Sequence, residues 1–226
     1  MKIVKFFLLI FVLAFASISV HFGLKILYKY RYENAVLKEM VQRLEADSRI
    51  AEVLVTKVEY DEIAKTNLTT IKFLEYDTKG TPLSPKYFTF TGNIIQFQSL
   101  VIRFDDLNVR SADRMRGKSA YIFWKAFMLN GKDTQEFEIN PIGKVPEGYR
   151  IEKEEGYFER RLWEKFWNYV FDPNSSSKAG IKSAQIEAPG TMFIPGFIYK
   201  LKIEHDGGIR IDTEPLPPIL RNETIP

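Results

Sequence analysis

The chain contains no cysteine. That absence removes disulfide scaffolds, zinc ribbons, iron–sulfur clusters, thiol catalysis and a lipid-modified N-terminal cysteine together. Histidine is almost as scarce. Of the two present, His21 lies inside an apolar run, so His205 is the sole imidazole left for a soluble site. An excess of one charge is also missing: 32 Lys and Arg stand against 29 Asp and Glu, a net of +3. A nucleic-acid binder needs a basic stripe to displace counterions from phosphate, so no nucleic-acid partner is expected. The phosphate-cradling patterns Gly-x-x-x-x-Gly-Lys-Ser/Thr and Gly-x-Gly-x-x-Gly do not occur, and neither does the nucleophile pattern Gly-x-Ser-x-Gly. No motif assigns a catalytic residue, a cofactor or a metal.

What the chain does have begins at its N-terminus. Met1-Lys2-Ile3-Val4-Lys5 precedes an uncharged run from Phe6 to Leu24, which as helix spans about 28 Å, close to the hydrocarbon thickness of a bilayer. Tyr28 and Tyr30 fit an aromatic belt, and Lys25, Lys29 and Arg31 close the segment. Ala14-Phe15-Ala16 supplies a small-x-small pattern for cleavage after Ala16, and a buried core helix is a third reading. The chain stays apolar to Leu24, however, where a mature N-terminus is usually polar, so an uncleaved anchor is the expectation. Residues 1–5 then form a short cytoplasmic tail and residues 6–28 a transmembrane helix through the lipid bilayer. Lys2 and Lys5 nearly balance the basic residues beyond the span. A tail this short generally stays inside while the following domain crosses. The expected placement is a single pass of the cell inner membrane, with the C-terminal domain in the periplasm or outside.

Residues 29–50 read as a continuing helical stalk. Ile26, Tyr30, Leu37, Val41 and Leu44 recur at three-, four- and seven-residue steps among Arg31, Glu33, Lys38, Glu39 and Arg43. Such a stripe suits a short coiled coil joining two copies, or an amphipathic helix packed on its own domain. Beyond it the hydrophobic period becomes two. Residues 52–60, 69–76, 86–90, 94–104, 119–129 and 134–139 read as strands. Asn130-Gly131 gives a hairpin turn, and Asp206-Gly207 joins 197–205 to 208–212. Between them, residues 154–172 return to a helical period, with Phe158, Leu162, Phe166 and Val170 on one face and Trp163 and Trp167 beside it. Asp172-Pro173 ends that helix. A tail from residue 214 holds four prolines and should be extended or disordered. The 18 Phe and 11 Tyr favour a sheet-rich core. The expected fold is α+β: a β-rich antiparallel domain over 51–213, drawn as a partly closed barrel carrying one aromatic amphipathic helix.

Each chemical candidate has a plainer reading beside it. His205, next to Asp206 and with Asp212 and Glu214 across the hairpin, could bind a metal or work as an acid–base pair, but a polar hairpin tip needs Asp-Gly for backbone reasons alone. Asp105 and Asp106, like Glu154 and Glu155, are adjacent carboxylates that a strand would point to opposite faces, and a helix N-terminus attracts acids anyway. Arg114-Met115-Arg116-Gly117-Lys118 could meet an anionic polymer or headgroup, and is also what a solvated loop looks like. Ser175-Ser176-Ser177 reads as linker. Trp163, Phe166, Trp167 and Tyr169 make a stacking platform if exposed and a helix-to-sheet pin if buried, and the period favours burial. Residues 190–196 form an apolar loop that either docks a partner or lies under the core. Asn67-Leu68-Thr69 and Asn222-Glu223-Thr224 match a loose sequon.

The layout of short tail, single span, helical stalk and small β domain resembles that of many bacterial envelope proteins, rod-shape scaffold proteins among them, with no shared motif. The expected function is a non-enzymatic, membrane-anchored scaffold or interaction domain, pairing as a homo-oligomer through residues 29–50, with its protein partner unidentified. The alternative is an envelope hydrolase or ligand-binding domain using the His205 region.

Overall fold

The computed structural model describes residues 2–44, 49–63, 65–104, 119–131, 133–151, 156–172, 181–203 and 208–218. Two compact units emerge, Met1–Glu39 and Met40–Pro226. The first is helical throughout its described length. It belongs to α1, Lys2–Leu44, whose 43 residues would measure about 65 Å, twice a bilayer's hydrocarbon thickness. No proline interrupts it and glycine occurs only at position 23. Within it, Ile10–Glu33 is long and apolar enough to cross a membrane, and none of that segment is buried. Lys29 and Glu33 form an i,i+4 ion pair at 3.8 Å.

The helix is described as far as Leu44, and the end of the expected stalk, residues 49 and 50, is not helical. Arg49 and Ile50 already belong to β1, Arg49–Asp61, where Ile50 pairs with Lys202 and its carbonyl accepts the Tyr76 N–H. Ladder partners on both sides of the chain outcompete the local helical period there. The side chains of Leu37, Val41 and Leu44 lie outside the described residues.

The second unit is a sandwich of two antiparallel sheets. Sheet 1 runs β10-β9-β1-β2-β3, with β2 at Thr66–Glu75, β3 at Lys86–Phe90, β9 at Phe197–Ile203 and β10 at Ile209–Pro215. Sheet 2 runs β6-β5-β4-β7, with β4 at Ile94–Phe104, β5 at Ser119–Asn130, β6 at Asp133–Glu138 and β7 at Ile181–Glu187. A short β8, Gly190–Met192, pairs with the start of β4. Alternation sends Ala51, Val53 and Val55, Ile71 and Phe73, Phe88 and Phe90, and Tyr199, Leu201 and Ile203 into the space between the sheets. Phe97, Phe123 and Phe193 meet them from sheet 2, with Phe73 stacked on Phe97 and edge-on to Phe123, centroids 5.6 Å apart in both cases.

No barrel closes, which corrects the expectation of a partly closed one. Among the described residues, β10 and β3 end one sheet and β6 and β7 end the other. The chain changes sheets at the turn after Phe90 and between Met192 and Phe197, and the strands flanking each crossing do not pair with one another. The aromatic core holds the layers apart, as in sandwiches generally.

A bulge explains why β5 looks almost continuously apolar. Ser99 opposes Phe123 while Gln98 opposes Lys125, leaving Trp124 as the extra residue. Facing is therefore odd-numbered before the bulge and even-numbered after it, so Tyr121, Phe123, Ala126 and Met128 all enter the same core. Asn130-Gly131 makes the expected turn into β6, with Gly131 at φ +63°.

Helix α2, Tyr157–Phe171, lies beside β7, and its Phe171 ring meets Trp124 at 5.4 Å. Leu100, Ile102 and Ile122 are buried too, on the face of sheet 2 turned away from the inter-sheet core. The buried stripe of α2 is Glu159, Trp163 and Trp167. Phe158, Leu162, Phe166 and Val170, expected as the inward face, are only half-buried. The helix is rotated toward its two largest apolar surfaces, and Glu159 is drawn in because its carboxylate accepts the Ile151 N–H at 2.9 Å.

Two boundaries move at the C-terminal end. Residues 214 and 215, expected at the start of an extended or disordered tail, are extended and complete β10, where Glu214 opposes Ile198 and Pro215 opposes Phe197. Proline is tolerated because β10 is an edge strand. Leu216 is buried, and its N–H donates to the Gly196 carbonyl at 2.8 Å. Strands β7 and β8 are additions that the sequence pattern does not indicate.

Candidate functional site

Two of the carboxylates expected near His205, Asp212 and Glu214, are ion-paired. Asp212 pairs with Arg210 at 2.9 Å and Glu214 with Lys200 at 2.7 Å, all on the solvent face of the β9–β10 ladder. Lys200 is held above its ordinary pKa, chiefly by its hydrogen bond to Glu214 and further by the charges of Glu214, Glu52 and Asp212. Residues 204–207, which include His205 and Asp206, lie outside the described residues. So do Asp105 and Asp106, the cluster 114–118, Glu154 and Glu155, Ser175–Ser177 and Asn222. Asn67 is exposed in β2, opposite Tyr60.

Next to that ladder, the Tyr76 hydroxyl donates to Glu52 Oε2 at 2.8 Å. Its pKa is pushed up to about 12, first by burial, then by that bond and by the Glu52 charge. A phenol so weakly acidic is a hydrogen-bond donor at neutral pH, unsuited to be a base.

The aromatic group on α2 is a pin. Trp163 and Trp167 are each 1% exposed. Tyr149 meets Trp163 at 5.3 Å, and Trp167 Nε1 donates to the Lys144 carbonyl at 2.7 Å. Phe166 contacts both indoles, and the Tyr169 side chain lies outside the described residues. Little indole surface is left for stacking on a ligand. Within the apolar segment 190–196, Gly190–Met192 is strand and Phe193 is fully buried against Phe97 and Tyr199, while Met192 and Ile194 are 54% and 40% exposed.

A polar cluster that the sequence does not suggest sits between the sheets. Glu75 occupies an inward position on β2, in line with Ile71 and Phe73, and is 4% exposed. Asn140 Nδ2 donates to Glu75 Oε2 at 3.4 Å and to the Phe123 carbonyl at 2.7 Å, while its Oδ1 accepts the Glu147 N–H at 3.1 Å. Lys86 bonds the Ile139 carbonyl and lies 3.7 Å from the Glu147 carboxylate. The Trp124 carbonyl, freed by the bulge, accepts both the Ile139 and Asn140 N–H groups at 2.8 and 3.0 Å. The cluster therefore joins β2 and β3 of one sheet to β5 of the other. A carboxylate so buried and so bonded is a structural tie. Among the described residues, no three His, Asp or Glu side chains are grouped to hold a metal ion.

Exposed apolar side chains gather elsewhere. β1 and β2 run on as a two-stranded ribbon beyond the sheet, since β9 pairs with β1 only as far as Leu54 and β3 with β2 only from Thr69. Val58 and Tyr60 are 46% and 61% exposed on that ribbon, and Ile63 at its tip is 97% exposed. Asp61 Oδ1 accepts the Ile63 N–H at 2.9 Å, which fixes the tip as an Asx turn.

No protein-family model, curated protein or solved structure matches the chain. The class these observations define is an α+β protein with one N-terminal apolar helix and an antiparallel β sandwich.

Proposed function

We propose that the chain is a single-pass membrane protein whose β sandwich is a non-enzymatic scaffold or interaction domain on the far side of the cell inner membrane. The observation that carries this reading is the exposure of every described side chain from Ile10 to Arg31 on one apolar helix. Apolar area of that extent in water opposes solubility at about 25 cal/mol per Å², whereas a bilayer receives it without cost. Residues 1–5 remain in the cytoplasm, by the argument from tail length. The ion-paired acids near the His205 hairpin favour the non-enzymatic reading over hydrolysis. Copies pair through the helix in the 29–44 region, where the sequence stripe suits a coiled coil.

Three experiments test this reading. Alkaline phosphatase fused after Pro226 should be active and a fluorescent protein at that site dark; the reverse overturns the orientation. The native chain should stay with membranes through alkaline carbonate, and recovery of soluble protein beginning at Ser17 would remove the anchor. In detergent, deletion of residues 29–39 should lower the sedimenting mass, and identical monomers with and without the deletion would remove the pairing helix.

A further inference from the structure

The ribbon formed by β1 and β2 leaves a backbone edge open. Along residues 55–60 of β1, no described strand pairs on the side away from β2, because β9 ends its ladder with Ile198 opposite Leu54. Lys57, Val58, Glu59 and Tyr60 are all exposed there. The other sheet edges are guarded. β10 ends in Pro215 and carries the Arg210, Asp212 and Glu214 charges, and β6 carries Asp133, Glu136 and Glu138. The Thr89 carbonyl of β3 is taken by Gln135, and β7 lies beside α2. Open ladders of this kind are templates for another strand.

A lone lysine on such an edge would repel a second strand. Here the sequence Lys57-Val58-Glu59 is complementary to itself when reversed. We infer that β1 pairs antiparallel with β1 of a second copy of this chain, about a two-fold axis at Val58. In that register Val58 faces Val58 of the second copy, and each Lys57 faces the other copy's Glu59. The regular register runs over Lys57 to Glu59, since Thr56 is the extra residue of a bulge against β2. Facing is consistent on both sides, since Lys57 and Glu59 share the solvent side and Val58 the core side, by their pairing with Thr70, Leu68 and the buried Thr69. Within one chain Lys57 and Glu59 already lie 2.7 Å apart, so pairing two copies builds an alternating quartet of charges. The ladder is short and weak by itself; holding both copies in one membrane raises their effective concentration enough to populate it. This inference does not rest on pairing by the N-terminal helix, and the two can fail separately.

The absence of native cysteine makes the test direct. Facing residues in an antiparallel pair have Cα atoms about 4.5–5.5 Å apart, within disulfide reach. Full-length Val58→Cys, oxidised mildly in membranes, should give a disulfide dimer at least tenfold faster than Glu164→Cys, which marks the exposed face of α2. Adding Lys57→Glu, which sets four acids together, should slow that dimer at least tenfold. Adding Glu59→Lys as well should restore it, and deletion of residues 29–39 should leave Val58→Cys still forming the two-fold disulfide. Equal rates for Val58→Cys and Glu164→Cys would overturn the proposal. So would failure of the charge swap to rescue, or a disulfide-linked product with a different protein in place of the homodimer.

Discussion

Replacing Asn140 with alanine removes three hydrogen bonds at one buried point. The Phe123 carbonyl loses a 2.7 Å donor, the Glu147 N–H loses its 3.1 Å acceptor, and the Glu75 carboxylate loses a longer 3.4 Å contact. A buried group left unsatisfied costs about 1–3 kcal/mol. Two good bonds and one long one therefore sum to about 3 kcal/mol, a large part of the roughly 5–15 kcal/mol by which domains are stable. The assay is urea unfolding of the full chain in mild detergent, followed by tryptophan fluorescence. All three tryptophans report on this half of the molecule, since the Trp124 carbonyl accepts the Asn140 N–H and Trp163 and Trp167 lie in α2. The same substitution in a Glu75→Ala background should cost less, because one of the three bonds is already absent. A loss below about 0.5 kcal/mol in the native background would refute the view that this cluster ties the sheets.

Further expectations concern side chains of known surroundings. Trp167→Phe should lower the melting temperature more than Trp163→Phe, by the equivalent of about 0.5–1.5 kcal/mol, because Trp167 Nε1 bonds the Lys144 carbonyl while Trp163 Nε1 has no partner; equal losses would sink the argument. Tyr76 keeps its proton in the folded state up to about pH 12, whereas an unfolded tyrosine loses it near pH 10. Its contribution is therefore complete below pH 10 and is lost as pH rises through the folded value. NMR titration should show a late tyrosine signal that vanishes in Tyr76→Phe and moves only partly in Glu52→Gln, since burial is the larger cause. Gly190→Ala places a Cβ 2.5 Å from Gln96 Cγ and 3.2 Å from the Ile95 carbonyl. It should destabilise by about 1–3 kcal/mol, with part of the loss recovered by Gln96→Ala.

Features governed by neighbours in the chain are legible in the residues themselves. The apolar helix, eight of the described strands and the Asn130-Gly131 turn follow from period, composition and local φ preference. The end of α1 is harder to read, because residues near 50 carry a helical pattern while their ladder partners lie near residues 75 and 202. β7 is invisible to pattern because Ile181–Glu187 has no run of β-branched residues, and its strand state comes from pairing with β4. The inward stripe of α2 sits one step around the helix from where periodicity puts it, since a count of apolar residues weighs neither indole area nor the pull of the Ile151 N–H on Glu159.

By itself, the sequence determined the chemistry the protein is denied and the greasy helix with which it begins, because both are properties of residue type and short-range order. Tertiary structure alone decided which glutamate is buried, where the Trp124 bulge reverses the facing of β5, and that β1 outruns its neighbour to leave an open edge. Each of those depends on residues far apart in the chain meeting across a sheet, and no local pattern records such a meeting.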